Sequence, residues 1–169
     1  IVRDADRISV YPVFESLDIG PVTRLRPVPL RDPRFVLDVH LRRLARYLRM
    51  LGFDADWAEG RDDPLLARIA RDKKRILLTR DRGLLKRKSV DRGIYIHSTV
   101  PEEQAAEVIR RLDCVSSVRP LSRCLECNGM IGENPCRTAP PGVPPGVSSW
   151  CGEYFTCGEC GRVYWHGSH

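Results

Sequence analysis

The chain has 169 residues, of which 42% are hydrophobic and 30% charged, and this composition is typical of a globular protein rather than a disordered one. It contains no run of about 18 apolar residues that could span a membrane, and no charged segment followed by an apolar one, as in a secretory signal peptide. We therefore expect a cytoplasmic protein with no membrane partner. The net charge is +6, and residues 31–92 carry 18 basic against 10 acidic side chains. A solvated basic face is the simpler interpretation of this charge alone, but the same stretch would attract a polyanion.

Residues 1–33 are predicted to be the end of one domain followed by a linker. Ile8, Val10 and Pro12 alternate with other side chains after an Asp-Ala-Asp turn, which predicts a short strand. This strand resembles the last strand of ubiquitin-like β-grasp sulfur carriers. Because the chain begins with Ile1 rather than Met, we expect the body of such a domain to precede it. The proline-rich stretch that follows favours an extended linker.

From residue 34 to residue 112, short apolar runs alternate with helical patterns. The predicted strands are residues 35–37, 53–58, 75–79 and 94–96, and the predicted helices are residues 40–51, a helix opened by Asp62-Asp63-Pro64, and residues 99–112. Gly52 is predicted to end the first helix, Asp63 is the better cap of the second by local chemistry, and Thr99 has the spacing of a capping box for the third. Strands alternating with helices predict a parallel α/β sheet with helices on both faces.

Acidic residues follow the ends of the predicted strands. Asp38 follows the first strand, Asp62 or Asp63 stands after the second, and Asp81 follows the third. Carboxyl ends of parallel strands meet at one edge of a sheet, where ligands bind. Each aspartate by itself is also a good helix cap, but carboxylates gathered at one edge repel one another unless a cation lies between them. We therefore expect a site for Mg²⁺ or Mn²⁺, which take oxygen ligands.

Basic side chains surround this predicted acidic edge. Arg42, Arg46 and Arg49 fall on one stripe of the first helix, opposite its leucines, while Arg82 and Lys86 follow the third strand. The planar arginine side chain can donate two parallel hydrogen bonds to a phosphate. Acids that bind cations, flanked by bases that bind phosphates, indicate a phosphodiester substrate.

Four of the seven cysteines have the spacing of a zinc site. The pairs Cys124/Cys127 and Cys157/Cys160 form two Cys-x-x-Cys knuckles separated by 29 residues, and we expect them to hold one structural zinc ion around a looped-out, proline-rich insertion. Cys114 is predicted to be a buried thiol. The roles of Cys136, Cys151 and His169 are open: the two cysteines are compatible with a disulfide or a second metal site. We expect Trp165 to pack the ribbon against the main domain, with base stacking as the alternative.

Several motifs together resemble one family. They are Arg34 to Asp38 with Leu41 to Asp54, Arg75 to Asp81, Arg123 to Gly129, and the terminal Tyr164 to His169. The sequence resembles the PIN-like RNase domain named after the C-terminal region of the Mut-seven exonuclease. This resemblance implies a PIN-type α/β fold, a fused zinc ribbon and divalent-metal-dependent RNA cleavage, with the acidic role on Asp38, Asp62 and Asp81. In many bacterial members a ubiquitin-like domain precedes this one.

These observations divide the chain into a β-grasp fragment with linker (1–33), a PIN-like nuclease domain (34–119) and a zinc ribbon (120–169). The principal hypothesis is a metal-dependent ribonuclease acting on RNA, with single-stranded RNA favoured. The rival is a nucleic-acid-binding module whose acidic site is degenerate. The sequence does not separate RNA from DNA. It also leaves open a fourth acid, for which Asp56, Glu59 and Asp91 are candidates.

Overall fold

The computed structural model describes residues 33–167, so the predicted strand at 1–12, the linker up to Asp32, and His169 lie outside the described residues. Two short 3₁₀ helices occur, at Val39–Leu41 and Val115–Ser117. The remaining elements, in chain order, are β1 (Arg34–Leu37), α1 (Arg42–Met50), β2 (Asp54–Asp56), α2 (Asp63–Asp72), β3 (Ile76–Thr79), α3 (Arg82–Leu85), β4 (Gly93–Tyr95), α4 (Pro101–Leu112), α5 (Pro145–Ser148), β5 (Phe155–Thr156) and β6 (Val163–Tyr164).

Strands β1 to β4 form one parallel sheet in the order β2-β1-β3-β4. Alternate side chains of a strand point to opposite faces, so β1 sends Phe35 and Leu37 into the core under α1 and α4, and Val36 into the core under α2 and α3. Helices therefore cover both faces of the sheet, and the predicted fold class is confirmed. Strands β2 and β3 lie on opposite sides of β1. The junction between β1 and β3 is therefore the point where the strand order reverses.

Helix α1 packs its leucines on the sheet and ends where the sequence predicts. Leu44 and Leu48 are fully buried. Gly52 follows the helix with φ +93°, and a Cβ at this position would lie 2.1 Å from the carbonyl oxygen of Arg119. Only glycine allows both this backbone conformation and this approach. The turn after α1 is thus in close contact with Arg119, in the segment that leads into the cysteine-rich region.

Two of the predicted helix starts are corrected. Asp62, not Asp63, caps α2, because its carboxylate accepts from the backbone N–H of Leu65 while Asp63 lies inside the first turn and pairs with Arg87 at 3.5 Å. At α4 the cap residue is Val100, whose side chain makes no capping bond. The hydroxyl of Ser98, rather than that of Thr99, accepts from the N–H of Val100.

Residues 120–167 form a second, smaller unit, called the ribbon below. Its two strands, β5 and β6, pair antiparallel. Its small core contains Cys124, Cys157 and Ile131, with Tyr154 also buried at the base of the proline-rich insertion. So few apolar side chains are buried here that packing alone is a weak source of stability.

Across residues 33–167, every helix is too short or too polar to cross a lipid bilayer.

Candidate functional site

One threonine connects two of the predicted acids at the carboxyl edge of the sheet. Thr79, the last residue of β3, is fully buried. Its hydroxyl donates to Oδ2 of Asp38 at 2.7 Å and accepts from the backbone N–H of Asp81 at 2.9 Å. Since Asp38 follows β1 and Asp81 follows β3, this bridge lies at the reversal of strand order, where open α/β sheets bind their ligands.

The carboxylate of Asp38 is buried, with 7% of the residue exposed. Apart from Thr79, it accepts one long bond, 3.4 Å from the N–H of His40 to Oδ1. Within residues 33–167, no lysine, arginine or histidine nitrogen lies within the 4.0 Å of an ion pair with it. A buried carboxylate without a counter-charge is costly. Its oxygen donor atoms and its missing counter-charge fit a hard divalent cation.

Asp62 and Asp81 are exposed and cap helices. Asp81 accepts from the N–H of Gly83 at 2.6 Å, as its predicted role at α3 requires, and Asp62 accepts from Leu65 at 2.9 Å. Each carboxylate therefore uses one oxygen as a cap and leaves the other to solvent. Within residues 33–167, these aspartates are not part of any group of three or more potential ligands lying within 4.8 Å of one another.

The candidates for a fourth acid differ in their surroundings. Asp56 ends β2, beside β1, but its carboxylate pairs with Arg61 at 2.8 Å. Nitrogen Nη1 of Arg61 is buried and has no hydrogen-bond partner among the described residues. Glu59 and Asp91 are exposed. Asp56 is thus the one candidate at the end of a sheet strand, and it already has a cation beside it.

The predicted phosphate-binding side chains fall into two sets. Arg42 lies over the ring of Trp57 at 5.3 Å, and the indole N–H donates to the carbonyl of Val39, just after Asp38. Arg82 and Lys86 are exposed after β3. These side chains are near the acidic edge. Arg46 lies one turn further along α1, where it pairs with Glu126 of the ribbon at 3.2 Å.

Arg49 is a correction to the predicted set. It is 4% exposed, so it does not share the open face of Arg42 and Arg46. Its guanidinium donates to the carbonyls of Ala55, Leu125 and Glu126 at 2.8–2.9 Å. All three contacts are structural, and two of them reach the first cysteine knuckle. Arg49 therefore joins α1 to the ribbon instead of facing a substrate.

A second set of buried polar contacts fastens the same knuckle to β2. Asp54 accepts from both terminal nitrogens of Arg75, at 2.7 and 3.0 Å, and from the amide of Asn128 at 2.7 Å. The amide oxygen of Asn128 in turn accepts from the N–H of Ala55. Burial disfavours the charged form of Asp54, but the bonds from Arg75 and Asn128 outweigh it and hold the pKa of this carboxyl below its usual value.

The four knuckle cysteines converge as predicted. Their ligand atoms all lie within 4.8 Å of one another, with Sγ–Sγ distances of 3.6 Å for Cys124–Cys160 and 3.5 Å for Cys127–Cys157. A tetrahedral ion with Zn–S bonds of about 2.3 Å requires sulfurs about 3.8 Å apart. All four are free thiols. This group can hold one zinc ion.

Burial and neighbouring groups shift the pKa values of two of these thiols in opposite directions. Burial opposes ionisation of Cys124, but N–H groups of the knuckle and the hydroxyl of Tyr164, 3.0 Å away, lower its pKa to about 6. Burial and the neighbouring cysteine sulfurs raise the pKa of Cys127 to about 12. Burial and Cys124 together raise the pKa of Tyr164, so its hydroxyl remains a donor to sulfur.

The remaining cysteines take separate positions. Cys114 is buried in the larger core, as predicted. Cys136 and Cys151 are free thiols on the insertion, and their sulfurs donate to the carbonyls of Thr138 and Glu153. Among the described residues they join no metal-binding group. Trp165 is half-buried and lines, with residues of the insertion, an open groove of about 410 Å³.

Sequence reasoning missed two residues that organise these sites. Thr79 was predicted only as the end of a strand, although its position two residues before Asp81 is the signal that could have found it. Asn128 follows the first knuckle with φ +66°, as in a tight turn, and its amide joins the ribbon to β2.

Comparison with known proteins agrees with the geometry. The model of the Mut7-C RNAse domain matches residues 33–169, which include the acidic edge and all four knuckle cysteines. No curated protein and no solved structure matched the chain. The family description suggests a ribonuclease-type function. With a parallel sheet, a four-cysteine group and a match over most of its length, the chain belongs to the Mut7-C RNAse domain family.

Proposed function

We propose that this protein is a divalent-metal-dependent ribonuclease that hydrolyses phosphodiester bonds of single-stranded RNA at the carboxyl edge of its sheet. Asp38, Asp62 and Asp81 would hold Mg²⁺ or Mn²⁺. The observation that carries the proposal is the Asp38–Thr79–Asp81 bridge, because it fixes two carboxyl-bearing residues at the ligand-binding junction and leaves the buried one without a cation among residues 33–167.

The side chains of this edge have distinct roles in the proposal. When bound, the ion would neutralise phosphate charge and lower the pKa of an attacking water. Thr79 holds Oδ2 of Asp38, so Oδ1, with its single long bond from His40, is the oxygen free to bind the ion or to accept a proton. Arg42, Arg82 and Lys86 would bind the RNA backbone. The bond from the water oxygen to phosphorus would form as one bridging P–O bond breaks, and the proton lost by the water would end on the leaving oxygen.

The test is cleavage of single-stranded RNA by Asp38→Asn beside the wild-type protein, in Mg²⁺, in Mn²⁺ and in buffer with no added divalent cation, with a matched DNA as a second substrate. We expect the variant to lose cleavage while keeping its fold and its RNA affinity. Asp72→Asn is the matched control, because this exposed acid ends α2 and lies outside the edge. Equal turnover by wild type and Asp38→Asn would reject the proposal.

One observation favours a second function, a nucleic-acid-binding module that does not hydrolyse its ligand. The three aspartates, within the part of the chain that the structure describes, form no tight ligand group, and each caps a helix. RNA binding by wild type without cleavage in any metal would support this alternative.

A further inference from the structure

His97 follows β4 and is exposed yet held in place. The side chain is 68% exposed, but its Nδ1 lies 2.7 Å from Oε1 of Glu107. The backbone N–H of His97 donates to the other oxygen of Glu107 at 3.0 Å. Arg111 also binds Glu107 at 3.3 Å and donates to the carbonyl of Tyr95. Glu107 is thus fully occupied in fixing this histidine, whose ring otherwise faces solvent.

An aromatic ring and an arginine lie between His97 and the acidic edge. The rings of His97 and Tyr95 meet edge to face, with centroids 5.0 Å apart. On Tyr95 lies the guanidinium of Arg82, 5.1 Å from the ring centroid. Arg82 is the residue next to Asp81. We call Arg82, Tyr95 and His97 the β4 platform.

Strand register places the β4 platform beside the proposed active site. Thr79 of β3 pairs with Tyr95 of β4, and the N–H of Ile96 donates to the carbonyl of Thr79 at 2.9 Å. Asp81 and His97 each stand two residues beyond this pair, and neighbouring strands are about 4.8 Å apart.

Charge on the β4 platform favours a polyanion. On the α3 side it is flanked by Arg82 and Lys86, both exposed. The acids that face it from α4 are already engaged, since Glu107 binds His97 and Arg111, and Glu103 accepts from the hydroxyl of Ser98 at 2.6 Å. The platform therefore offers one exposed, rigid ring next to exposed positive charge.

We propose that the β4 platform binds one nucleotide of the RNA strand, with its base stacked on the imidazole of His97 and its phosphate on Arg82. Histidine rings are among the side chains on which splayed RNA bases stack. A ring already fixed by Glu107 and Tyr95 loses little rotamer entropy on binding, which favours the stacked arrangement. This inference rests on the proposed function, because the RNA chain that would cross Asp38 and Asp81 would also pass over β4.

The test measures binding and not cleavage, so it is informative even if the protein does not hydrolyse RNA. Single-stranded RNAs carrying 2-aminopurine at successive positions are titrated with protein in buffer that contains neither Mg²⁺ nor Mn²⁺ and no chelator, so that the ribbon keeps its metal. We expect quenching at one position, with affinity reduced roughly tenfold by His97→Ala and the quench lost, in the range of one lost base–aromatic stack. His97→Phe retains a ring and should retain both signals. His97→Gln retains only hydrogen bonding and should lose both.

A matched control replaces an exposed ring elsewhere. Trp150→Ala removes a ring that is 55% exposed on the insertion, and should leave the quenched position unchanged. The stacking site is overturned if His97→Ala keeps the quench, if His97→Gln binds like wild type, or if Trp150→Ala removes the same signal. Should the His97 variants fail to fold, the wild-type protein still decides: the ring C–H resonances of His97 should shift upfield when RNA is added, and unchanged resonances would reject the proposal.

Discussion

The two ends of the sheet are built on opposite principles. At the amino end of the strands, Asp54 of β2 pairs with Arg75 and binds the first cysteine knuckle through Asn128, while Arg49 on α1 donates to carbonyls of the same knuckle. At the carboxyl end, Asp38 is buried with one short hydrogen bond and no cation within ion-pair distance among residues 33–167. Hydrogen bonds and one ion pair therefore join the two regions at the amino end, whereas the buried acid at the carboxyl end has no counter-charge among the described residues.

The largest expected loss of stability comes from removing one ligand of the four-cysteine group, or the metal that it can hold. Cys124→Ser, or removal of metal by a strong chelator, should unfold the ribbon, because its small core cannot replace an ion whose apparent binding free energy is about 10–16 kcal/mol in zinc-finger peptides. Calorimetry with measurement of bound zinc checks this. Cys136→Ser, an exposed thiol outside the group, is the control. An unaltered melting temperature in protein stripped of metal would contradict it.

Arg49→Met should be the next most damaging change. It leaves the carbonyls of Ala55, Leu125 and Glu126 without their donor in a buried place, at a cost of about 3 kcal/mol in the free energy of unfolding. Urea denaturation measures the loss. Arg43→Met is a matched variant on the exposed face of the same helix, and should change stability by less than about 0.5 kcal/mol. Similar losses in the two variants would show that Arg49 does not join the units.

Asp54→Asn should weaken the same junction in a pH-dependent way. The pKa of Asp54 is lower in the folded protein than in the unfolded chain, where aspartate titrates near pH 3.9. Its contribution to stability, about 1–2 kcal/mol, is therefore present above that pH and is lost as the pH falls through the folded pKa. Melting temperatures of wild type and variant should differ at neutral pH, and the difference should shrink as the pH falls below about 3.9. A difference that stays constant through this acid range would contradict the assignment.

The smallest expected loss of stability comes from a change at the carboxyl end of the sheet, in the hydrogen bonds of Thr79. Thr79→Val keeps the shape of the side chain but removes the bridge between Asp38 and Asp81, so cleavage of RNA should fall about tenfold while the free energy of unfolding changes by about 1 kcal/mol. Thr79→Ser retains the hydroxyl and should stay near wild type. Equal rates for all three proteins would show that the bridge does not position the acids.

Local pattern was sufficient for most of the framework. Apolar periodicity predicted α1 and the four parallel strands, Gly52 predicted the end of α1, and cysteine spacing predicted the four-sulfur group. Each of these signals depends on residues close together in the chain or on one chemical rule. Helix capping, the alternative that the sequence leaves open for each aspartate, is observed for Asp81 at α3.

Contacts over long sequence separation were not predictable. Helical periodicity placed Arg49 on the polar stripe of α1, because a single helix pattern records only one buried face. Arg49 is covered by Leu125 and Glu126, which are more than 70 residues away in the chain. Their carbonyls accept hydrogen bonds from its guanidinium, which makes its burial tolerable.

The sequence by itself determined the alternation of strands and helices, the grouping of four cysteines and the acids after the strands, because these follow from periodicity and ligand chemistry. Only the tertiary structure decided which charges are paired. It neutralised Asp54 with Arg75, buried Arg49 against the ribbon, and, among residues 33–167, left Asp38 with Thr79 alone as a close partner. The reason is physical: the energy of a charge depends on burial and on neighbours within a few ångströms, and for these residues the neighbours come from distant parts of the chain.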